Sequence, residues 1–216
     1  MIFIDKIDVT QPIMKQLIPE SSDLMNYLKE EDTVDYSHPM IQSKVHELFY
    51  QEMSEVERVK TAFEFVRDQV SHSWDIQSNR VTCKASEVLQ YKEGICYAKS
   101  NLFAALLRAV QIPVGFCYQR LMIFDTPDKG YSLHALNGVY LTSINRWIRL
   151  DTRGNKPGVQ AEFSLREEKL AFQVREELDE IDYPTIYTSP NQKTLASLKS
   201  NKDALNMYIN DLPDFL

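Results

Sequence analysis

The stretch from Glu93 to Pro113, EGICYAKSNLFAALLRAVQIP, puts a cysteine two residues after a glycine and at the head of a run rich in alanine and leucine. Leu102, Ala105, Leu106 and Ala109 fall on one face at helical spacing, and Pro113 must end the helix because its ring disfavours helical geometry in the residue before it. A helix over about 96 to 110 follows, with Cys96 in its first turn. Unpaired N–H groups and the helix dipole favour negative charge there, so the position suits a thiolate nucleophile. A lone cysteine in apolar company also has a bland reading, as a small buried side chain. Its neighbours in chemistry have to decide.

All six glycines (94, 115, 130, 138, 154 and 158) lie between residues 94 and 158. Glycine serves tight turns and close backbone approach, so the pattern predicts helical flanks around a turn-rich centre. Ser54 with Glu57 forms a capping-box pattern, and Val56, Val59, Ala62, Phe63, Val66 and Val70 repeat at three and four, predicting a helix over 54–70. Shorter helices are expected over 40–50 and 84–91. After Pro113 come three strand-like runs, 114–124, 132–141 and 146–151, the last two joined by a turn at Thr142 to Asn145. A further strand is expected at VQAEFS (159–164), and a helix or two between 191 and 210. Strands that follow a long helix, instead of alternating with helices, favour an α+β fold with an antiparallel sheet.

Size and charge exclude several function classes. The 216 residues suit one domain, with a core at about 54–155, a helical amino-terminal extension (1–53) and a carboxy-terminal extension (156–216). With 24 basic and 31 acidic residues the net charge is -7, and no cluster of Lys and Arg offers a phosphate-binding surface, so nucleic acid is not an expected partner. Residues 161–182 hold eight acids against three bases and are expected to form a solvated face. Asp5 and Lys6 interrupt the apolar start MIFIDKIDVTQP, which removes a signal-peptide centre, and no apolar run approaches the roughly 20 residues needed to span a bilayer. Three cysteines (Cys83, Cys96, Cys117), with no CxxC pair, suit a reducing compartment, so a cytoplasmic protein without metal, cofactor or membrane partner is expected. Oligomeric state is not readable.

A thiolate nucleophile needs an imidazole nearby, and an imidazole needs a group that holds its orientation. Of the four histidines only His134 falls inside a strand of the glycine-bearing centre, with His72 in SHSWDI a second candidate. If 132–141 and 146–151 pair as a hairpin, Asp151 comes into the neighbourhood of His134. Cys83 and Cys117 lack such company and read as core or strand residues. Arg153, Asn155 and Lys156 read as a polar loop that could also meet a substrate carboxylate, and Tyr97 and Tyr118 as residues that could line a cleft.

A cysteine at a helix start just after a glycine, then LLRAVQIP, then a strand carrying histidine, then RWIRLD, resembles the transglutaminase-like superfamily, relatives of the papain-type cysteine enzymes, over about residues 54–155. The resemblance implies a papain/transglutaminase-like α+β core, with the nucleophile-bearing helix packed on an antiparallel sheet, and a triad of Cys96, His134 and Asp151. It differs from many members at Ala135-Leu136-Asn137, where alanine and tryptophan often follow the histidine, and in RLDTRGNK; these departures imply a distinct bacterial-type branch of unknown substrate. Relatives use a tryptophan or glutamine as an oxyanion donor, a role for which SHSWDIQ offers Trp74 and Gln77 beside the N–H of Cys96.

The expected activity is cysteine-dependent acyl transfer through a thioester, as hydrolysis of an amide or peptide bond in a peptide or protein substrate. Water is always available, and no dedicated amine site is apparent. Two alternatives stay open: a non-catalytic peptide-binding module that keeps the fold, and a metal-binding protein using cysteine and histidine.

Overall fold

The computed structural model describes residues 16–216. The amino-terminal stretch read above for a signal-peptide centre, and the first fifteen residues of the expected helical extension, lie outside the described residues. In chain order, β1 (Ile18–Pro19) precedes α1 (Pro39–Leu48) and α2 (Glu55–Gln69). Then come β2 (Ser71–His72), α3 (Ala85–Tyr91), β3 (Glu93–Gly94) and α4 (Cys96–Arg108). The main strands β4 (Val114–Met122), β5 (Tyr131–Leu141) and β6 (Arg146–Leu150) follow, and β7 (Ile181–Asp182), β8 (Thr185–Ile186), α5 (Gln192–Ser200) and α6 (Ala204–Asn210) complete the order.

The helix α4 is buried on every side, and its Lys99, Asn101 and Arg108 side chains bond to carbonyls of other segments. It packs on β5 and is flanked by α2 and α3. The strands form an antiparallel sheet in the order β6-β5-β4-β7, with Gln119 opposite His134 and Asn137 opposite Leu150. This is the expected α+β architecture. Ser54 closes the start of α2 as predicted: its hydroxyl accepts from the Glu57 N–H (3.3 Å) and its own N–H donates to the Glu57 carboxylate (2.8 Å). Val59, Ala62, Phe63 and Val66 then turn the apolar face of that helix inward.

The far face of the sheet is covered too, by Tyr27 and by Ile186 of β8. Two glycines make room for that cover, Gly115 and Gly138, which pair across β4 and β5. A Cβ on Gly115 would lie 2.4 Å from Ile186 Cγ2 and 2.7 Å from the Tyr187 carbonyl oxygen, so close approach, not a turn, requires glycine there.

Residues 159–164 are not a strand. The backbone of Ala161 is taken by side chains instead: its N–H donates to Asn155 Oδ1 (2.8 Å), and its carbonyl accepts from Asn155 (3.2 Å) and Arg67 (3.0 Å). The acidic segment is likewise only partly a solvated face. Glu168 and Asp182 both pair with the buried Arg149, at 2.6 Å each, and the buried Glu180 pairs with Arg175. Periodicity carries no sign of such ties, because the partners lie on other elements.

Arg108, the last residue of α4, is fully buried. It donates to the carbonyls of Lys29 (2.6 Å), Val114 (2.8 Å) and Thr188 (2.7 Å) and to the Glu31 carboxylate (3.2 Å). One guanidinium thereby joins the helix, the sheet and both flanks. Replacing it strands several acceptors, so Arg108→Leu is expected to lower the free energy of unfolding by about 3–5 kcal/mol, read from urea midpoints.

Candidate active site

The sequence EGIC makes a tight entry into α4. Gly94 in β3 pairs in parallel with His72 of β2, and a Cβ on Gly94 would meet Thr82 Oγ1 at 2.9 Å and Ala98 Cβ at 3.1 Å. The residue before the helix is Ile95, which has no side chain able to cap it, so the first-turn N–H groups are left to whatever occupies the space in front of Cys96. Cys96 is the first residue of the helix and is 8% exposed.

His134 sits on β5, which packs against α4. Asn137 pairs with Leu150, the last residue of β6, and the next residue, Asp151, turns off the ladder toward the histidine. His134 Nε2 and Asp151 Oδ2 are 2.8 Å apart and both side chains are buried. With Nε2 engaged, Nδ1 is the ring nitrogen left to the thiol. The other bonds to Asp151 come from backbone, with the Arg153 N–H on Oδ1 (3.0 Å) and the Ala171 N–H on Oδ2 (3.1 Å). The Phe172 ring lies nearly perpendicular to the imidazole, with the ring centroids 5.1 Å apart.

Charges follow from this geometry. Burial pulls the His134 pKa down, but Asp151 and the Cys96 sulfur outweigh it and raise it to about 10. Burial pushes Asp151 up, and the facing imidazole and the two backbone N–H groups hold it below the usual carboxylate value. His72 is held well below the ordinary imidazole value, first by burial and then by the Arg153 charge, and its Nδ1 has no partner. The two histidines of the cavity are thus shifted in opposite directions. Burial pushes the Cys83 thiol up to about 11 and the Cys117 thiol up to about 12.

Cys96, His134, His72, Trp74, Arg153 and Tyr208 line one cavity of about 480 Å³. The structure thus brings Cys96, His134 and Asp151 together and puts Trp74 in the wall of the same space. Gln77 is not in that lining: it sits at φ 53° and its amide donates to the Trp74 carbonyl (2.6 Å). Tyr97 and Tyr118 are buried ties and not cleft residues, the first donating to the Leu133 carbonyl (2.7 Å) and the second accepting from the Asn191 N–H (2.7 Å). Arg153 is no loose loop residue either. It grips Asp75 with two bonds, 2.6 and 2.9 Å, and Lys156 adds a third at 2.6 Å. Those two cations hold the Asp75 carboxyl at about 2 against the effect of its burial.

Sequence reasoning passed over Lys99 and Asn137. Lys99, one turn beyond Cys96, is fully buried and donates to the carbonyls of Val70 (2.5 Å) and Arg153 (2.9 Å), tying α4 to the loop that carries Asp151. A lysine inside an alanine-rich helix is the signal that could have found it. Asn137 donates to Ser100 (3.3 Å) and Gly115 (3.1 Å), fastening β5 to both α4 and β4. Among the described residues no three His, Cys, Asp or Glu side chains are grouped to hold a metal ion, and no helix is long and apolar enough to cross a membrane.

Buried Lys99 is pulled by desolvation, then by Arg153, from 10.5 down to about 7. It binds fewer protons folded than unfolded, so its contribution makes stability rise with pH from about 7 to 10.5. His134 works in the opposite sense: its contribution is fully present below 6.5 and is lost as pH rises through about 10. Asp151 is the leading charge that raises His134, and it raises Lys99 as well. Asp151→Asn should therefore unmask the lysine: relative to the unmodified protein, its unfolding free energy should climb between about pH 7 and 10 by up to about 1.4 kcal/mol per pH unit, measured by urea unfolding at three pH values.

Against known proteins, the profile of the transglutaminase-like superfamily matches residues 42–152, just over half of the chain. A crystal structure from Cytophaga hutchinsonii, of a protein whose name provisionally makes it a cysteine protease, aligns with a TM-score of 0.48 and 19% identity over 62% of this chain. The chain spans 43% of that protein's length. No curated protein matches the sequence.

Proposed function

The chain belongs to the transglutaminase-like superfamily, and on that premise we propose that it is a cysteine-dependent acyl-transfer enzyme that hydrolyses an amide or peptide bond. One observation carries the reading: a buried imidazole, bonded at 2.8 Å to a buried carboxylate, shares a cavity with the thiol at the start of α4. A nucleophile, a base and a carboxylate that orients the base are the set that acyl transfer through a thioester requires.

The steps follow from the geometry. The Cys96 thiolate, paired with the His134 imidazolium, adds to the carbonyl carbon, and the oxyanion forms in front of the first-turn N–H groups of α4, of which the Cys96 N–H is one. Trp74, in the same wall, is the side chain available as a second donor; Gln77, engaged with a carbonyl of its own segment, is not. His134 gives its proton to the leaving amine, the C–N bond breaks, and a thioester remains on Cys96. Water then attacks the thioester as His134 takes its proton, the acid leaves, and the thiolate is regenerated. Asp151 holds the ring through Nε2, so that Nδ1 serves the reacting atoms throughout. The substrate is a peptide or protein amide, and three unpaired cysteines fit a reducing cytoplasm.

At pH 6 iodoacetamide is expected to modify Cys96 while Cys83 and Cys117 stay unmodified, and His134→Ala should abolish the selectivity; peptide mapping by mass spectrometry reads both. In a screen of amide and peptide substrates, Cys96→Ser should fall to background and His134→Ala should lose at least about 10²-fold in kcat. Three equally slow thiols and no Cys96-dependent turnover would replace the enzyme by a peptide-binding module on the same fold.

A further inference from the structure

One wall of the Cys96 cavity is aromatic, and three distant parts of the chain build it. Trp74, just after β2, stacks on Tyr208 of α6 with ring centroids 4.6 Å apart and planes 16° from parallel. Phe124, from the β4–β5 connection, stands 5.2 Å from Trp74 and 6.1 Å from Tyr208. Leu121, Leu133 and Leu212 continue the apolar lining. The rings do not exhaust one another, since Phe124 remains 47% exposed and Trp74 and Tyr208 are only partly buried.

The charged side chains around the cavity, unlike the unpartnered Nδ1 of His72, are already paired within the protein. Arg153 and Lys156 both bind Asp75, and Arg175 binds Asp125 and Glu180, each at 2.6 Å by its shortest bond. A charged substrate side chain would compete with these existing partners, whereas an apolar one displaces only water from ring faces. The placement of Phe124 is also actively maintained. Phe124 and Asp125 sit at φ 55° and 52°, in the left-handed region that favours glycine. Arg175 clamps Asp125 from one side, and Glu180 accepts from the Met122 N–H (3.1 Å) on the other. These two bonds tie the turn from which the Phe124 ring reaches the cavity wall.

We propose that Trp74, Tyr208 and Phe124 form the subsite for an aromatic or bulky branched apolar side chain flanking the scissile carbonyl. The substrate class is then amides and peptides carrying such a residue beside the bond that is cut. This rests on the acyl-transfer reading of Cys96 given above.

Peptidyl chloromethyl ketones test it without requiring turnover, because the Cys96 thiolate displaces chloride from the reactive carbon and the thioether is located by peptide mapping. With Phe, Leu, Ala or Glu in the flanking position, the Phe and Leu reagents should alkylate Cys96 at least about tenfold faster than Ala, with Glu slowest. Phe124→Ala should narrow the Phe-to-Ala ratio, and Tyr208→Phe, which keeps the ring, should preserve it. Equal rates across the four reagents, a preference for Glu, or a ratio untouched by Phe124→Ala would each overturn the subsite. Iodoacetamide, which has no side chain, separates the two readings: if it labels Cys96 at pH 6 while the four ketones react alike, the nucleophile stands and the subsite falls. If it fails to label Cys96, both fall.

Discussion

A carboxylate with no exposed surface costs several kcal/mol unless donors surround it, and Asp151 is such a carboxylate. Its donors come from three places: a ring nitrogen of β5, the backbone just past its own strand, and the backbone of Ala171, twenty residues onward. Satisfying one buried charge therefore fixes the end of β6, the rotation of His134 and the path of the carboxy-terminal segment together. The orientation of the imidazole toward the Cys96 end of α4 is a consequence of that constraint. Moving any of the three donors would leave the charge short of a partner.

The same device recurs elsewhere, with cations in place of an anion. Lys99, Arg108 and Arg149 are all buried, and each binds groups on elements far away in sequence. A cation that reaches several carbonyls or carboxylates spares those acceptors the cost of being buried unpaired. Lys99 fastens the helix that carries the thiol to the loop that carries Asp151, while Arg108 does the same for the opposite end of that helix and both flanks. The relative positions of nucleophile and base are held by these ties as much as by apolar packing.

The region matched by the superfamily profile, 42–152, carries the thiol, the imidazole and the carboxylate. The enclosure around them draws on later residues. Phe172 borders His134, Ala171 completes Asp151, and Tyr208 covers Trp74. Chemistry and the shape of the cavity thus have separate sources in the chain, so related chains could keep the first while changing the second.

Local pattern determined a good deal. Glycine before cysteine, apolar spacing up to Pro113 and the Ser54–Glu57 box identify α4 and α2, because helix starts, stops and faces are set by neighbours within a few residues. The runs 114–124, 132–141 and 146–151 identify the three main strands, and the order Cys96, His134, Asp151 picks out the group that the fold assembles. The tertiary structure alone decided that 159–164 stays irregular, that Glu168, Glu180 and Asp182 are paired inside a segment that looks solvated, and that Lys99 and Tyr208 belong to the site while Gln77 does not. In each case a side chain meets a partner tens of residues away, and such a meeting leaves no periodicity along the chain from which it could be read.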